Sequence, residues 1–134
     1  MRVQPALVEL VVRDMAATMA FYRLLGLDIP ADADSQPHVD VPFGGIRIAF
    51  DTEEVIRSFD PAWSPPSGGH RAAIAFAAAE PAAVDEAYAE LTAAGYEGHL
   101  PPWDAFWGMR YAVVRDPDGT PVDLFAFLPP SDAT

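Results

Sequence analysis

The chain contains no cysteine. Disulfides, thiolate catalysis and cysteine-ligated zinc or iron–sulfur clusters are therefore excluded. It contains no lysine either, and its 8 basic residues are all arginine against 20 acidic ones. The formal net charge of −12 repels nucleic acid and anionic membranes and favours cations. No run approaches the ~18 uninterrupted apolar residues of a membrane helix. The opening Met1-Arg2-Val3-Gln4-Pro5 leads into a strand pattern without the charged and apolar regions of a secretory signal, so a cytoplasmic location is expected. Serine-hydrolase and phosphate-loop signatures are also absent.

What is present is a single domain's worth of chain, 134 residues, 51% of them hydrophobic. A faint internal repeat organises it. An offset of 66 superposes Leu7 on Ala73, Asp14 on Glu80 and Tyr22 on Tyr88. Each copy reads as strand, acidic residue, helix and glycine. Asp14 precedes Met15, Met19, Tyr22 and Leu25 at helical spacing and suits a helix cap, and Gly26 suits the helix end. In the second copy Glu80-Pro81 opens a helix about one turn longer, with Val84, Tyr88 and Leu91 on one face and Gly95 after it.

Short strands follow each helix. The first half reads as weak Leu27–Pro30, then Pro37–Phe43, a Gly44-Gly45 turn and Ile46–Asp51. The second reads as a short strand near Tyr96–Leu100, then Met109–Arg115, the turn Asp116-Pro117-Asp118-Gly119, and Val122–Leu128. The expected fold class is α+β: two βαβββ modules of four strands each, forming a curved mixed sheet, a half-open barrel with helices outside. Module one spans about 1–59, a Pro/Ser/Gly-rich connector 60–69, module two about 70–128, and a tail 129–134.

The candidate site gathers aromatic and acidic residues. Trp103, Phe106 and Trp107 are expected in a loop before a strand, as a stacking wall for a planar ligand, an interface clamp or a barrel plug. Trp63, in the connector, is either a lid or a loop pin. Asp123, Phe125 and Phe127 share one strand face, and a carboxylate among them needs a partner. That partner is Arg110 on the neighbouring strand or a bound cation. Glu9 lines the strand face of Leu7, His38 lies on one face with Asp40, and Phe50 completes the lining. Of the 3 histidines, His70 is expected at a strand mouth and His99 in a loop.

Two motifs carry a family resemblance: Val12-Arg13-Asp14 with Phe21-Tyr22 and Leu25-Gly26-Leu27, and Arg115-Asp116-Pro117-Asp118-Gly119 with Val122-Asp123-Leu124-Phe125. In this order and in both halves they resemble the vicinal-oxygen-chelate superfamily of glyoxalase I, extradiol dioxygenases and the fosfomycin- and bleomycin-resistance proteins. The resemblance implies metal ligands at Leu7, near Ile48 or Ala49, at Ala73 and at Asp123. Only Asp123 has a suitable donor, so neither a metal nor another cofactor is expected, and no catalytic residue is assigned. Bleomycin-resistance proteins, small acidic dimers that sequester a cationic aromatic drug, are the closer match in character. Their Pro-Trp-Gly-Arg-like segment corresponds to Phe106-Trp107-Gly108-Met109-Arg110, with Phe106 in place of proline and Met109 inserted. The implied protein is a homodimeric small-molecule binder with Glu9, His38, Phe50, Trp63, Trp103, Phe106, Trp107, Arg110, Asp123 and Phe125 as its lining. The alternatives are a metal-dependent lyase or dioxygenase with relocated ligands such as His38, Glu9 and Asp123, and an accessory protein with a vestigial cavity.

Overall fold

The computed structural model describes residues 2–130. The chain divides into two compact units between Ser67 and Gly68, inside the connector. In unit one the strands are β1 (Leu7–Val12), β2 (His38–Phe43) and β3 (Ile46–Thr52), and the helices are α1 (Met15–Leu24) and α2 (Glu53–Phe59). Unit two holds β4 (Ile74–Ala77), α3 (Pro81–Ala93), β5 (Gly98–Ala105), β6 (Met109–Arg115) and β7 (Pro121–Phe127). The architecture is α+β, with one small open mixed sheet in each unit.

The sheet of unit one runs β1-β3-β2, with β1 parallel and β2 antiparallel to β3. It has three strands rather than the four expected. Residues 27–30 form no strand, and Ala31–Ser35 is a 3-10 turn with Ala33 buried. Arg23 holds this segment by donating to the Ile29 and Pro30 carbonyls and by pairing with Asp34 at 2.8 Å. Unit two keeps four strands in the order β4-β7-β6-β5, β4 parallel to β7 and the rest antiparallel.

The helices begin where local chemistry supplies a partner for free N–H groups. Asp14 Oδ1 accepts from the Ala17 N–H at 3.0 Å, and Gly26 takes φ +102° beyond the helix end. Helix α2 has no counterpart in the sequence reading. Its cues are Thr52, whose hydroxyl accepts from the Val55 N–H at 3.3 Å, two acidic residues in the first turn, and a Glu53–Arg57 pair one turn apart. Proline at the first position of α3 replaces a side-chain cap.

Alternation along the strands assigns the two sheet faces. In unit one, Val12, Val39, Val41, Ile48 and Phe50 are buried on the face that meets α1. There Phe50 meets Tyr22 in a tilted contact at 5.1 Å, and Tyr22 meets Phe21 edge-on at 4.9 Å. In unit two, Ile74, Ala112, Val114, Val122, Leu124 and Ala126 are buried with Val84 and Leu91 of α3. Burying each large side chain stabilises by roughly 1.5–3 kcal/mol.

Two features set the edges of unit two. Strand β5 is longer than expected and takes in His99 and Trp103, both placed in loops by the sequence reading. Its pairing with β6 shifts register on either side of Leu100. Pro101 and Pro102 lack the N–H groups that a regular ladder requires, and an edge strand tolerates them. At the other end, the Asp116–Gly119 turn is closed by the buried Asp116, whose Oδ1 accepts from the N–H groups of Asp118 and Thr120, both at 2.9 Å. Asp116→Ala leaves these donors without that acceptor and should destabilise the protein by about 1–3 kcal/mol. The expected observation is a lower urea midpoint at unchanged slope, and an unaltered midpoint would show that the turn is held by other contacts.

Candidate functional site

The register relations within each unit show which positions of one repeat correspond to which of the other. In unit one Glu9 pairs with Ala49 and Val11 with Asp51, while Asp40 and His38 pair with Ala49 and Asp51 from β2. In unit two Ala75 pairs with Asp123 and Ala77 with Phe125, while Val113 and Tyr111 pair with them from β6. Ala49 thus corresponds to Asp123, Asp51 to Phe125 and His38 to Tyr111. On the sheet face turned away from the helix, one copy carries polar groups and the other rings.

In unit two the register aligns Trp103, Tyr111 and Phe125 across β5, β6 and β7. Trp103 meets Tyr111 at 5.6 Å and Trp107 at 6.1 Å, and Trp107 meets Tyr111 at 5.3 Å and Phe106 at 5.0 Å. Tyr111 lies nearly parallel to Phe125 at 6.3 Å, and Phe125 meets Phe127 at 6.1 Å. The result is a continuous wall of six rings. Its outer members are open to solvent: Phe106 is 97%, Phe127 71% and Trp107 46% exposed. Gly108, at φ +87°, makes the tight turn that presents Phe106 and Trp107.

Asp123 stands on the same face, and its Oδ2 accepts a short hydrogen bond from the Tyr111 hydroxyl. The Tyr111 phenol is pushed up to about 12 by burial first, then by that hydrogen bond and the charge of Asp123. It therefore stays a neutral donor. Arg110, expected as the partner of Asp123, directly precedes Tyr111 on β6 and so lies on the opposite face. Its Nε donates to Asp85 of α3 at 3.0 Å and its Nη1 to Asp104 of β5 at 3.1 Å. It fastens the helix to the sheet and does not belong to the aromatic wall.

In unit one the predicted residues Glu9 and His38 come together through Asp51, which the sequence reading took only as the end of a strand. Asp51 is 4% exposed. Its Oδ1 lies 2.5 Å from His38 Nδ1, and the Glu9 carboxyl is within hydrogen-bonding reach. That hydrogen bond raises the Glu9 pKa; burial and the charge of Asp51 add to the effect, and His38 opposes it. Asp40, expected beside His38, is held instead by Arg47.

Phe50 is removed from the lining altogether. It is fully buried beneath Tyr22, because alternation puts it on the helix-facing side with Ile48. Trp63 sits 5.1 Å from the Arg57 guanidinium, stacked on the last turn of α2. His99 lies in β5 beside Arg115, and His70 lies near the Gly119 turn.

Residues 4–124 match the family model of the Glyoxalase/Bleomycin resistance protein/Dioxygenase superfamily, and the chain belongs to that superfamily. Solved structures agree with the fold. A glyoxalase/bleomycin resistance protein/dioxygenase from Nocardioides is 26% identical, with 100% of this chain and 89% of that one covered and a TM-score of 0.74. A glyoxalase/bleomycin resistance protein/dioxygenase family enzyme from Burkholderia phytofirmans PsJN is 22% identical, covering 92% of this chain and 98% of that one at a TM-score of 0.80. A glyoxalase-related enzyme from Fulvimarina pelagi is 21% identical over 92% of this chain and 87% of that one, at a TM-score of 0.77. No curated protein matches the sequence.

The superfamily's metal does not fit the residues present. Its positions hold Leu7 and Ala49 in unit one and Ala73 and Asp123 in unit two, and the one carboxylate among them is engaged by Tyr111. A divalent ion needs three or four converging donors. No group of three or more His, Cys, Asp or Glu residues suited to a metal occurs among the described residues.

The Glu9–Asp51 contact has a consequence for stability. A folded-state pKa above the ordinary 4.5 gives stabilisation that is full below that value and is lost as pH rises through the raised one. Wherever Glu9 is ionised it faces the Asp51 carboxylate, and the two repel. Glu9→Gln keeps a donor toward Asp51 without the charge, so it should stabilise the fold at pH 7 by less than ~1 kcal/mol at so exposed a site, read as a slightly higher urea midpoint. The gain should shrink as pH falls toward the ordinary carboxylate range, and a gain that grows on acidification would contradict the shared-proton geometry.

Proposed function

We propose that the chain binds a small cationic aromatic compound, in the manner of a drug-sequestering protein, and that it does so without a metal. The observation that carries this reading is the wall from Phe106 and Trp107 through Tyr111 to Phe125 and Phe127, open to solvent at Phe106, Trp107 and Phe127, with the Asp123 carboxylate on the same face. Large rings standing in solvent are costly unless they meet a partner, and six in contact make a surface suited to a planar ligand. A delocalised cation gains twice on such a surface. Ring faces attract it through their quadrupole, and Asp123 supplies a formal charge already oriented by Tyr111. The net charge of −12 favours the encounter.

Titrating tryptophan fluorescence with a panel of cationic aromatic antibiotics tests the proposal. At least one should quench saturably at one equivalent. Trp107→Ala should weaken that binding about 10-fold, equivalent to ~1.4 kcal/mol. Asp123→Asn should weaken it too and flatten its dependence on salt. Unchanged emission across the panel would sink the idea. A stoichiometric transition metal in protein purified without chelator, lost in Asp123→Ala, would point instead to a metal-dependent lyase or dioxygenase.

A further inference from the structure

The carboxylate on the aromatic wall keeps one oxygen that the fold does not use. The Tyr111 hydroxyl donates to Asp123 Oδ2, and no donor among the described residues reaches Oδ1. Among those residues no arginine pairs with Asp123 either. Arg110 is held on the opposite face by Asp85 and Asp104. Arg115, on the same face of β6 two residues beyond Val113, pairs with Glu97 at 3.4 Å. Each oxygen of a carboxylate can accept two hydrogen bonds, so Oδ1 is an acceptor whose capacity is left for a molecule from outside.

The register shows from which side a donor can approach. Asp123 stands between Val113 of β6 and Ala75 of β4. Val113 is buried, and Tyr111 closes the β6 side through its hydrogen bond. On the other side β4 is the edge strand of its sheet. Its residues Ala75 and Ala77, the partners of Asp123 and Phe125, point to the same face as they do and are exposed. An exposed methyl group neither donates a hydrogen bond nor blocks one. A flat molecule lying against Phe125 and over these alanines brings its edge to Oδ1.

We propose that this face selects planar cations by their edge. It holds those with an N–H donor, such as amino-substituted heteroaromatic cations and aryl amidiniums, in preference to quaternary cations of the same size and charge. The inference rests on the reading of the wall as a site for planar cations. Rings alone cannot make this choice, since their quadrupole attracts a quaternary cation as readily as one with an N–H. Net charge cannot make it either, because both cations feel it equally. An acceptor can, because a ligand without the donor displaces water from Oδ1 and returns no hydrogen bond. A fully buried acceptor discriminates by roughly ten-thousandfold or more. Asp123 is only half-buried, which brings the expected preference down to about tenfold.

The test measures binding of 9-aminoacridine and 10-methylacridinium to the full chain by isothermal titration calorimetry at neutral pH. Both dyes are flat monocations on the same ring system, but the first carries N–H groups and the second has none. The wild type should bind 9-aminoacridine about tenfold more tightly. Asp123→Asn keeps the shape and can still accept from Tyr111, which turns its amide N–H groups toward the ligand. Both dyes should then bind more weakly and the preference should vanish. Ala75→Leu changes an exposed position and sets bulk beside Oδ1, so it should reduce the preference while leaving the core untouched. If Asp123→Asn does not fold, the wild-type ratio and Ala75→Leu decide. Equal affinity for the two dyes would overturn the proposal and leave the wall standing as a planar-cation site. A preference retained in Asp123→Asn, or undiminished in Ala75→Leu, would overturn it as well. Binding of neither dye would overturn both the proposal and the reading of the wall.

Discussion

The parallel pairing of β1 with β3, and of β4 with β7, decides which way every other side chain in its unit turns. Once Glu9 stands opposite Ala49, the two-residue alternation sends Ile48 and Phe50 to the helix and Ala49 and Asp51 to the other face. The same relation in unit two sends Val122 and Leu124 inward and leaves Asp123 and Phe125 on the far side. A slip of one residue would bury Asp51 and Asp123 against apolar helices and expose both cores. The penalty for that exchange is what makes the register specific.

Because both units use this frame, their differences are differences of content. His38 and Asp51 of the first correspond to Tyr111 and Phe125 of the second. One copy supplies hydrogen-bonding and titratable groups, the other stacking surface and a single carboxylate. At the positions where the superfamily holds a metal, Leu7, Ala49 and Ala73 cannot coordinate anything. The chain belongs to the superfamily, yet three of those four positions carry side chains without a donor atom.

Much of this was legible in the chain itself. Asp14, Gly26, Pro81 and the Asp116–Gly119 turn mark element boundaries through local hydrogen bonding, and the structure places those boundaries where the residues indicate. Helix α2 was missed because its cues, a threonine cap and an Glu53–Arg57 pair, are short-range and weak beside the preceding apolar strand. The fourth strand expected in unit one was wrong for a related reason. Residues 27–30 have no partner to pair with, and Arg23 holds the following 3-10 turn.

The sequence by itself determined composition, repeat, caps, turns and the alternation of each strand, because these depend on neighbours a few residues apart. It determined that rings and carboxylates would cluster near Asp123, and that cysteine chemistry was impossible. Only the tertiary structure decided partners. Arg110 on the neighbouring strand was the expected partner of Asp123, yet a β-strand turns adjacent residues to opposite faces, and Tyr111 took the carboxylate instead. Phe50 and Asp51 exchanged roles for the same reason. Which side chains meet across strands depends on register between segments far apart in the chain, and no local pattern carries that information.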